Sequence, residues 1–321
     1  MKRYVLRRLL TGLLCVLVVF TLNFFIIRLA PGNPIKVLAG RDNPSQEMID
    51  HLMEKYGLDK PIHIQLFSYL ANVIQGKTEN SILYGEPVNK LIAETMGPSV
   101  LLALTSALIA VLIGTFIGLY SAQHRGGIVD TTFSGISYVL NSMPSFWLGL
   151  MCIMIFATRL KWFPTSGMQN LRQGYEGIRH ILDVAHHLVL PVFTLALIQL
   201  PTYFKITKSS VVQVLSEDFI TTFRATGMSE RKIFRKYVFK NSILPTITIF
   251  GIRLAYLVTG SALIETVFGW PGMGRLMMDG IMRRDYPLIM AIYLMLSVAI
   301  AVMMILTDLI YAYVDPRIRY Q

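Results

Sequence analysis

Long apolar runs separated by short polar stretches dominate the chain. Six of them are long enough to span a bilayer, which takes about 20 helical residues. They are roughly Leu9–Leu29, Ser99–Ala122, Thr132–Ala157, Leu188–Phe204, Thr246–Phe268 and Pro287–Val314, and the second and third carry no charge. The fourth is the shortest and contains Pro191 and Pro201, a residue that membrane helices tolerate. The first follows the basic start MKRYVLRR, as in a signal peptide, yet its apolar stretch is too long and no small-x-small cleavage site follows at Leu29-Ala30-Pro31. It is expected to remain as a helix. The pattern therefore predicts an all-α integral membrane protein with six transmembrane helices.

The polar stretches carry their own periodicity. In the long segment between the first two spans, Met48, Ile49, Leu52, Met53 and Tyr56 form one apolar face that ends at Gly57. Leu66, Phe67, Leu70, Val73 and Ile74 form a second that ends at Gly76. Two amphipathic helices are expected there, lying against the outer mouth of the membrane region. The chain then divides into a tail and first span at 1–30, an extracytoplasmic helical loop at 31–98 and a five-helix core at 99–315. The core contains a cytosolic loop at 205–245, and a cytosolic tail follows at 316–321.

The stretch Glu217 to Pro245, EDFITTFRATGMSERKIFRKYVFKNSILP, reads as two short helices broken at Gly227. Phe219, Ile220 and Phe223 share a face of the first. Gly227 can take the left-handed conformation that ends a helix without steric cost. Ser229 is placed to cap the second helix, whose apolar stripe is Ile233, Phe234, Tyr237 and Val238. Arg231, Lys232, Arg235, Lys236 and Lys240 lie largely off that stripe. A compact helical element in a cytosolic loop is suited to receive a push from a soluble partner.

Composition changes the picture little. The chain is 54% hydrophobic and 15% charged, against about 25% charged in soluble domains. The net charge of +11 does not imply nucleic acid, because membrane proteins gather Lys and Arg in cytosolic loops. With the N-terminus inside, fifteen Lys and Arg fall on cytosolic segments against seven outside, once the long 31–98 loop, which translocates regardless of charge, is left out. Both termini are expected in the cytosol. Cys15 and Cys152 lie in apolar runs and read as small buried hydrophobes.

Chemistry of its own is hard to find. Ala71-Asn72-Val73-Ile74-Gln75-Gly76-Lys77-Thr78 approaches a phosphate-binding loop, but a helix rather than a strand is expected before it, on the side away from ATP. The six histidines are scattered, and the His186-His187 pair lacks partners at metal-ligand spacing. Arg253 and Glu265 in the fifth span, Asp308 in the sixth and Arg28 at the end of the first are costly in a bilayer. Glu265 and Asp308 fall in the last turns of their spans, where a charge can reach the interface. Asn141, Ser142, Gln199, Thr259, Ser261 and Ser297 are candidates to line a polar path, and helix–helix hydrogen bonding explains them equally well. No enzymatic activity is expected.

The residues resemble the permease subunits of peptide- and nickel-type ABC importers, a family that also serves glutathione. Asp218-Phe219-Ile220 through Arg224-Ala225-Thr226-Gly227-Met228-Ser229-Glu230-Arg231 is similar to that family's coupling loop, and Asn241-Ser242-Ile243-Leu244-Pro245 to its closing pattern. Glu265 through Gly274, Arg284-Asp285-Tyr286-Pro287, Asp315-Pro316-Arg317, Ala30 through Pro34 and Tyr56 through Pro61 also match, in order, along nearly the whole chain. Thr221, Thr222 and Phe223 stand where the general importer pattern has Glu-Ala-Ala, so docking would rest on shape rather than on a carboxylate. The resemblance implies the type I importer permease fold in a bacterial inner membrane. It implies a second homologous permease, two cytosolic ATP-binding subunits that hold the ATP and Mg, and an extracellular solute-binding protein. It assigns ATPase coupling to Phe219, Thr222, Phe223, Arg224, Ala225, Gly227 and Met228. Peptides are the expected cargo, with metal chelates or glutathione as the alternative. An ion-coupled secondary transporter would need a titratable relay within the membrane, for which Arg253 and Glu265 are a poor pair.

Overall fold

The computed structural model describes residues 2–29, 46–55, 59–75, 79–255 and 261–314. The described chain is helical, with one isolated bridge between Asn80 and Pro87 as its only β pairing. In chain order the helices are α1 (Lys2–Leu29), α2 (Gln46–Lys55), α3 (Ile62–Ile74), α4 (Val88–Gln123), α5 (Ile128–Ser142) and α6 (Ser145–Cys152). A π-helical stretch Ile153–Arg159 extends α6, and then come α7 (Gly177–Leu215) and α8 (Asp218–Ala225). Next, α9 (Glu230–Ile233), a π stretch Phe234–Val238 and α10 (Phe239–Ser242) form one continuous rod. Last are α11 (Leu244–Ala255), α12 (Ala262–Val267), α13 (Met273–Arg283) and α14 (Tyr286–Val314).

Three of these helices, α1 over Leu10–Ile27, α4 and α7, are long and apolar enough to cross a membrane. The expected third span, Thr132–Ala157, is not one straight helix. It is the pair α5 and α6, bent by 106° at Ser142-Met143-Pro144. Pro144 has no N–H to give and forces its predecessor out of the helical region: Met143 sits at φ −82°, ψ 133°. The expected fourth span, Leu188–Phe204, is too short by half. α7 runs 39 residues with Pro191 and Pro201 both inside it. Thr246–Phe268 is represented by α11 and α12, with residues 256–260 outside the described set. The two amphipathic helices of the long loop are present as α2 and α3. Tyr56, Gly57 and Gly76 to Thr78 lie outside the described residues.

The chain forms two compact units. One comprises Met1–Ser99, Val258–Ala262 and Gly272–Gln321. Its core is built from Phe20, Phe24 and Ile27 of α1 against Tyr286, Ile289 and Met290 of α14, with Leu66 and Tyr69 of α3 alongside. A second cluster joins Val88 and Leu91 of α4 to Met273, Leu276, Leu288 and Ile292. The turn at 81–84 is tied to this framework by Asp285, which is fully buried. Asp285 Oδ1 accepts from Leu288 N–H at 3.1 Å, capping α14, while Oδ2 accepts from Leu83 N–H at 2.9 Å and from the Ser81 hydroxyl.

The other unit comprises Val100–Leu257 and Leu263–Pro271. Here α4 and α7 approach at backbone distance. A methyl group added at Gly114 would lie 2.8 Å from Tyr203 Cβ and 3.0 Å from the Leu200 carbonyl oxygen. One at Gly118 would lie 2.9 Å from both the Phe204 carbonyl oxygen and Thr207 Cβ. Gly114-Thr115-Phe116-Ile117-Gly118 is thus a small-xxx-small seam, in which absent side chains let two apolar helices touch. Glu265 in α12 is fully buried, so its carboxylate is kept inside the protein rather than reaching out from a helix end.

Candidate functional site

The site begins where α7 ends. Leu215, Ser216 and Glu217 turn the chain, and Glu217 takes extended backbone angles at the N-cap of α8. One turn later Ile220 is fully buried. It joins Ala122, Val211, Ile233 and Val238 in a cluster with Leu119, Phe223, Met228 and Phe234 against it. The predicted apolar stripe of the second helix is therefore the face that packs. Arg231, Lys232, Arg235, Lys236 and Lys240 are left exposed and border a hollow of about 630 Å3.

α8 ends as its glycine demands. Gly227 has φ +78°, Met228 N–H reaches the Phe223 carbonyl at 3.1 Å, and Gly227 N–H reaches the Arg224 carbonyl at 3.0 Å. Those two bonds define a Schellman closure, and Phe223 and Met228, the positions that flank it, both pack against the same apolar cluster. The Phe223 ring also lies against Tyr237, tilted by 35° with centroids 4.2 Å apart. A second lock closes the tip. Arg224 Nε donates to Glu230 Oε1 at 2.7 Å and Nη2 to Oε2 at 3.3 Å, a two-pronged bridge from the last turn of α8 to the first of α9. The hydrogen bond from Arg224 holds the Glu230 carboxyl below the usual carboxylate range, and its counterpart raises Arg224. Ser229 occupies the N-cap position of α9, but its side chain makes no capping bond. The backbone carbonyl of Ser229 accepts from Lys232 and Ile233 instead.

The seven residues expected to couple fall into two groups. Phe219, Thr222, Arg224, Ala225 and Gly227 are exposed on or beside the tip, whereas Phe223 and Met228 are half-buried and hold it together. Glu230 completes the tip and was not in the expected set. Its spacing of six from Arg224 matches no single-helix pair, and only the left-handed turn at Gly227 brings the two side chains together.

The polar candidates are dispersed. Asn141 and Ser142 are exposed at the α5–α6 break, and Ser142 Oγ donates to the Tyr138 carbonyl at 2.9 Å. Gln199 Nε2 donates to Ser106 Oγ at 3.4 Å, so it joins α7 to α4. Ser297 Oγ returns to the Tyr293 carbonyl of its own helix. Ser261 is half-buried, and Thr259 lies outside the described residues, as do the side chains of Arg28 and Asp308. Among the described residues no group of three His, Cys, Asp or Glu side chains could hold a metal. His186 meets the Trp162 carbonyl at 2.9 Å, and His187 pairs with Asp183.

Comparison with known proteins identifies the family of the chain. Residues 114–320 match the model of the binding-protein-dependent transport system inner membrane component, and residues 1–86 match the N-terminal model of the same kind of component. The chain is 36% identical over 321 residues to the oligopeptide transport system permease protein AppB of Bacillus subtilis, covering 100% of both chains. It is 35% identical to the glutathione transport system permease protein GsiC of Salmonella choleraesuis, again over 100% of both. The inward-facing MetNI methionine ABC transporter shares the fold, with a TM-score of 0.52 at 18% identity over 70% of this chain and 96% of that one. A multi-pass helical chain with a Gly-terminated loop helix, matched along its length by these relatives, belongs to the family of binding-protein-dependent transport system inner membrane components.

Proposed function

We propose that this chain forms half of the translocation path of an ATP-driven importer of peptides, and that the 217–245 loop couples it to cytosolic ATPase subunits. The carrying observation is the self-contained tip at Phe223–Glu230, closed by the Schellman bonds and by the Arg224–Glu230 bridge. A lever must transmit force without deforming, and a tip fixed by its own contacts meets that need. In this reading Phe219, Thr222, Arg224, Ala225 and Gly227 meet the ATPase, while Phe223 and Met228 keep the lever stiff. ATP and Mg belong to the partner subunits, and the permease itself is not catalytic. A second homologous permease completes the path, and an extracellular solute-binding protein delivers the cargo. Both termini are cytosolic, and the loop 31–98 faces outward. Asn141, Ser142, Gln199, Thr259, Ser261 and Ser297 remain proposed path positions, and Gln199 also ties α7 to α4.

The peptide reading takes support from the oligopeptide permease of Bacillus subtilis. Glutathione, itself a small peptide, is the second reading, and the Salmonella relative supports it. The test is to purify the tagged chain in mild detergent, identify what accompanies it, and assay ATP hydrolysis and uptake in proteoliposomes. Recovery of a second permease and ATPases, with hydrolysis uncoupled from peptide uptake in a Gly227→Val variant, is the expected outcome. A chain that purifies alone, or uptake that continues without any ATPase, would sink the proposal.

A further inference from the structure

One end of α5 and α7 carries a cationic hollow that the coupling loop does not use. It measures about 380 Å3 and is bordered by Arg125, Ser134, Tyr138, Lys205 and Lys208. One of these three cations has a carboxylate partner. Asp130 pairs with Lys208 and accepts from Gly126 N–H at 3.1 Å, and Lys208 also donates to Ser134 Oγ at 3.1 Å. Lys205 Nζ lies 4.6 Å over the Tyr138 ring. Among the described residues neither Arg125 nor Lys205 has a carboxylate partner. The hollow therefore keeps two positive charges in excess after Asp130 is matched with Lys208.

The surroundings are as informative as the charge. Arg125 sits in the tight turn between α4, which is long and apolar enough to span, and α5 of the bent apolar pair, so the hollow lies where the apolar length of α4 ends. Along α5, Tyr138 is shared with a second, mainly apolar hollow of about 510 Å3 bordered by Val139, Ser142, Met143, Pro144 and Trp147, where the Ser142 hydroxyl is turned back onto the Tyr138 carbonyl. From Ser134 to Ser142 is about 12 Å of helix rise. A cationic end continuous with an aromatic and aliphatic groove fits an amphiphile with an anionic head. A free anion would leave the groove empty, and a neutral lipid would leave the two cations unmatched.

We infer that this hollow is a binding site for an anionic phospholipid, with the phosphate headgroup held by Arg125 and Lys205 and an acyl chain lying along Val139, Met143 and Trp147. Juxtamembrane Lys and Arg each contribute roughly 1 kcal/mol toward anionic lipid, so two of them give roughly a thirtyfold preference by the usual conversion. Asp130 tunes the site by matching Lys208, which leaves room for a singly or doubly charged head. The inference rests on the chain spanning a membrane and not on its cargo or its partners.

The test is native mass spectrometry of the full-length chain in detergent, titrated with dioleoyl phosphatidylglycerol or dioleoyl phosphatidylcholine. We expect phosphatidylglycerol to bind tenfold or more tightly than phosphatidylcholine. Arg125→Gln with Lys205→Gln should abolish that preference, and Arg125→Lys with Lys205→Arg should keep it. Lys208 is left intact, since its removal would strand Asp130. Thermal unfolding in phosphatidylcholine should be the same for all three proteins, which separates lost lipid from lost fold. Equal affinity for the two lipids overturns the inference. So does a preference that survives the double Gln variant, or one that vanishes instead with Arg231→Gln and Lys232→Gln. Displacement of the lipid by millimolar inorganic phosphate would identify a free-anion site and overturn the lipid assignment.

Discussion

The Ser81 hydroxyl donates to Asp285 Oδ2 at 2.5 Å, joining two residues 204 positions apart in a fully buried contact. This bond fastens the turn that precedes α4 to the residue that starts α14. Asp285 also accepts from two backbone N–H groups, so every part of its carboxylate is engaged. Asp285→Ala should cost about 2–4 kcal/mol, because it removes a helix cap and leaves buried donors without partners. Ser81→Ala should cost less, since Leu83 and Leu288 still satisfy the carboxylate. Thermal unfolding of the two variants in detergent checks the order, and an Asp285→Ala protein as stable as the parent would refute this account.

Gly227 tests backbone conformation separately from bulk. A Cβ there would meet nothing of this chain within 4 Å, so within the tip only its φ of +78° restricts the residue. Asn and Asp visit the left-handed region with little strain, whereas a β-branched residue does not. Gly227→Asn should keep most coupled uptake, Gly227→Val should lose it, and Gly227→Asp should fail through charge if it fails at all. Uptake coupled to ATP hydrolysis in proteoliposomes ranks the three.

The Arg224–Glu230 bridge predicts a rescue. Reversing Arg224 alone places two carboxylates at the tip, while Arg224→Glu with Glu230→Arg restores the pair in the opposite sense. If the bridge matters by stiffening the tip, the double variant recovers coupling. If Arg224 acts as a docking cation, it does not. The pH dependence has a definite sign. The carboxyl of Glu230 is depressed in the folded loop. Its contribution is therefore present above the ordinary Glu range of about 4.3 and fades as pH falls through the lower, folded value. Both groups are exposed, so the effect is small and weakens with added salt.

Close approach of α4 and α7 sets a contrast between glycines. Gly118→Ala and Gly114→Ala must push a methyl group against backbone atoms, and each should destabilise by about 1–3 kcal/mol. Gly135 of α5 has open space where its Cβ would be. Gly135→Ala should instead stabilise by about 0.5–1 kcal/mol, the ordinary difference between Gly and Ala in a helix interior. Equal melting temperatures for Gly118→Ala and Gly135→Ala would contradict the packing described here.

Local patterns carried much of this fold in readable form. Apolar runs located the helices α1, α4 and α14, and for α1 and α4 length and hydrophobicity alone are enough for a span. The stripe Ile233–Val238 and the break at Gly227 were legible because both follow from residues a few positions apart. The bend at Met143-Pro144 has a local cause, but its angle is set by what α5 and α6 pack against. Contacts that join distant parts left no such mark. Nothing near Asp130 points to Lys208, and nothing near Ser81 points to Asp285. The Gly114–Gly118 spacing is a visible signal for helix contact, yet its partner helix could be named only from the structure.

The locality of the tip also bears on how the protein is made. Among the described residues, the apolar cluster that packs it and the ion pair that bridges it lie between Leu119 and Val238, before α11 to α14 are synthesised. The surface proposed to meet an ATPase can thus be complete while the C-terminal quarter of the chain is still on the ribosome. Subunit recruitment need not wait for the permease to finish inserting, and a crosslink from residue 224 to an ATPase on ribosome-stalled chains would reveal that order of assembly.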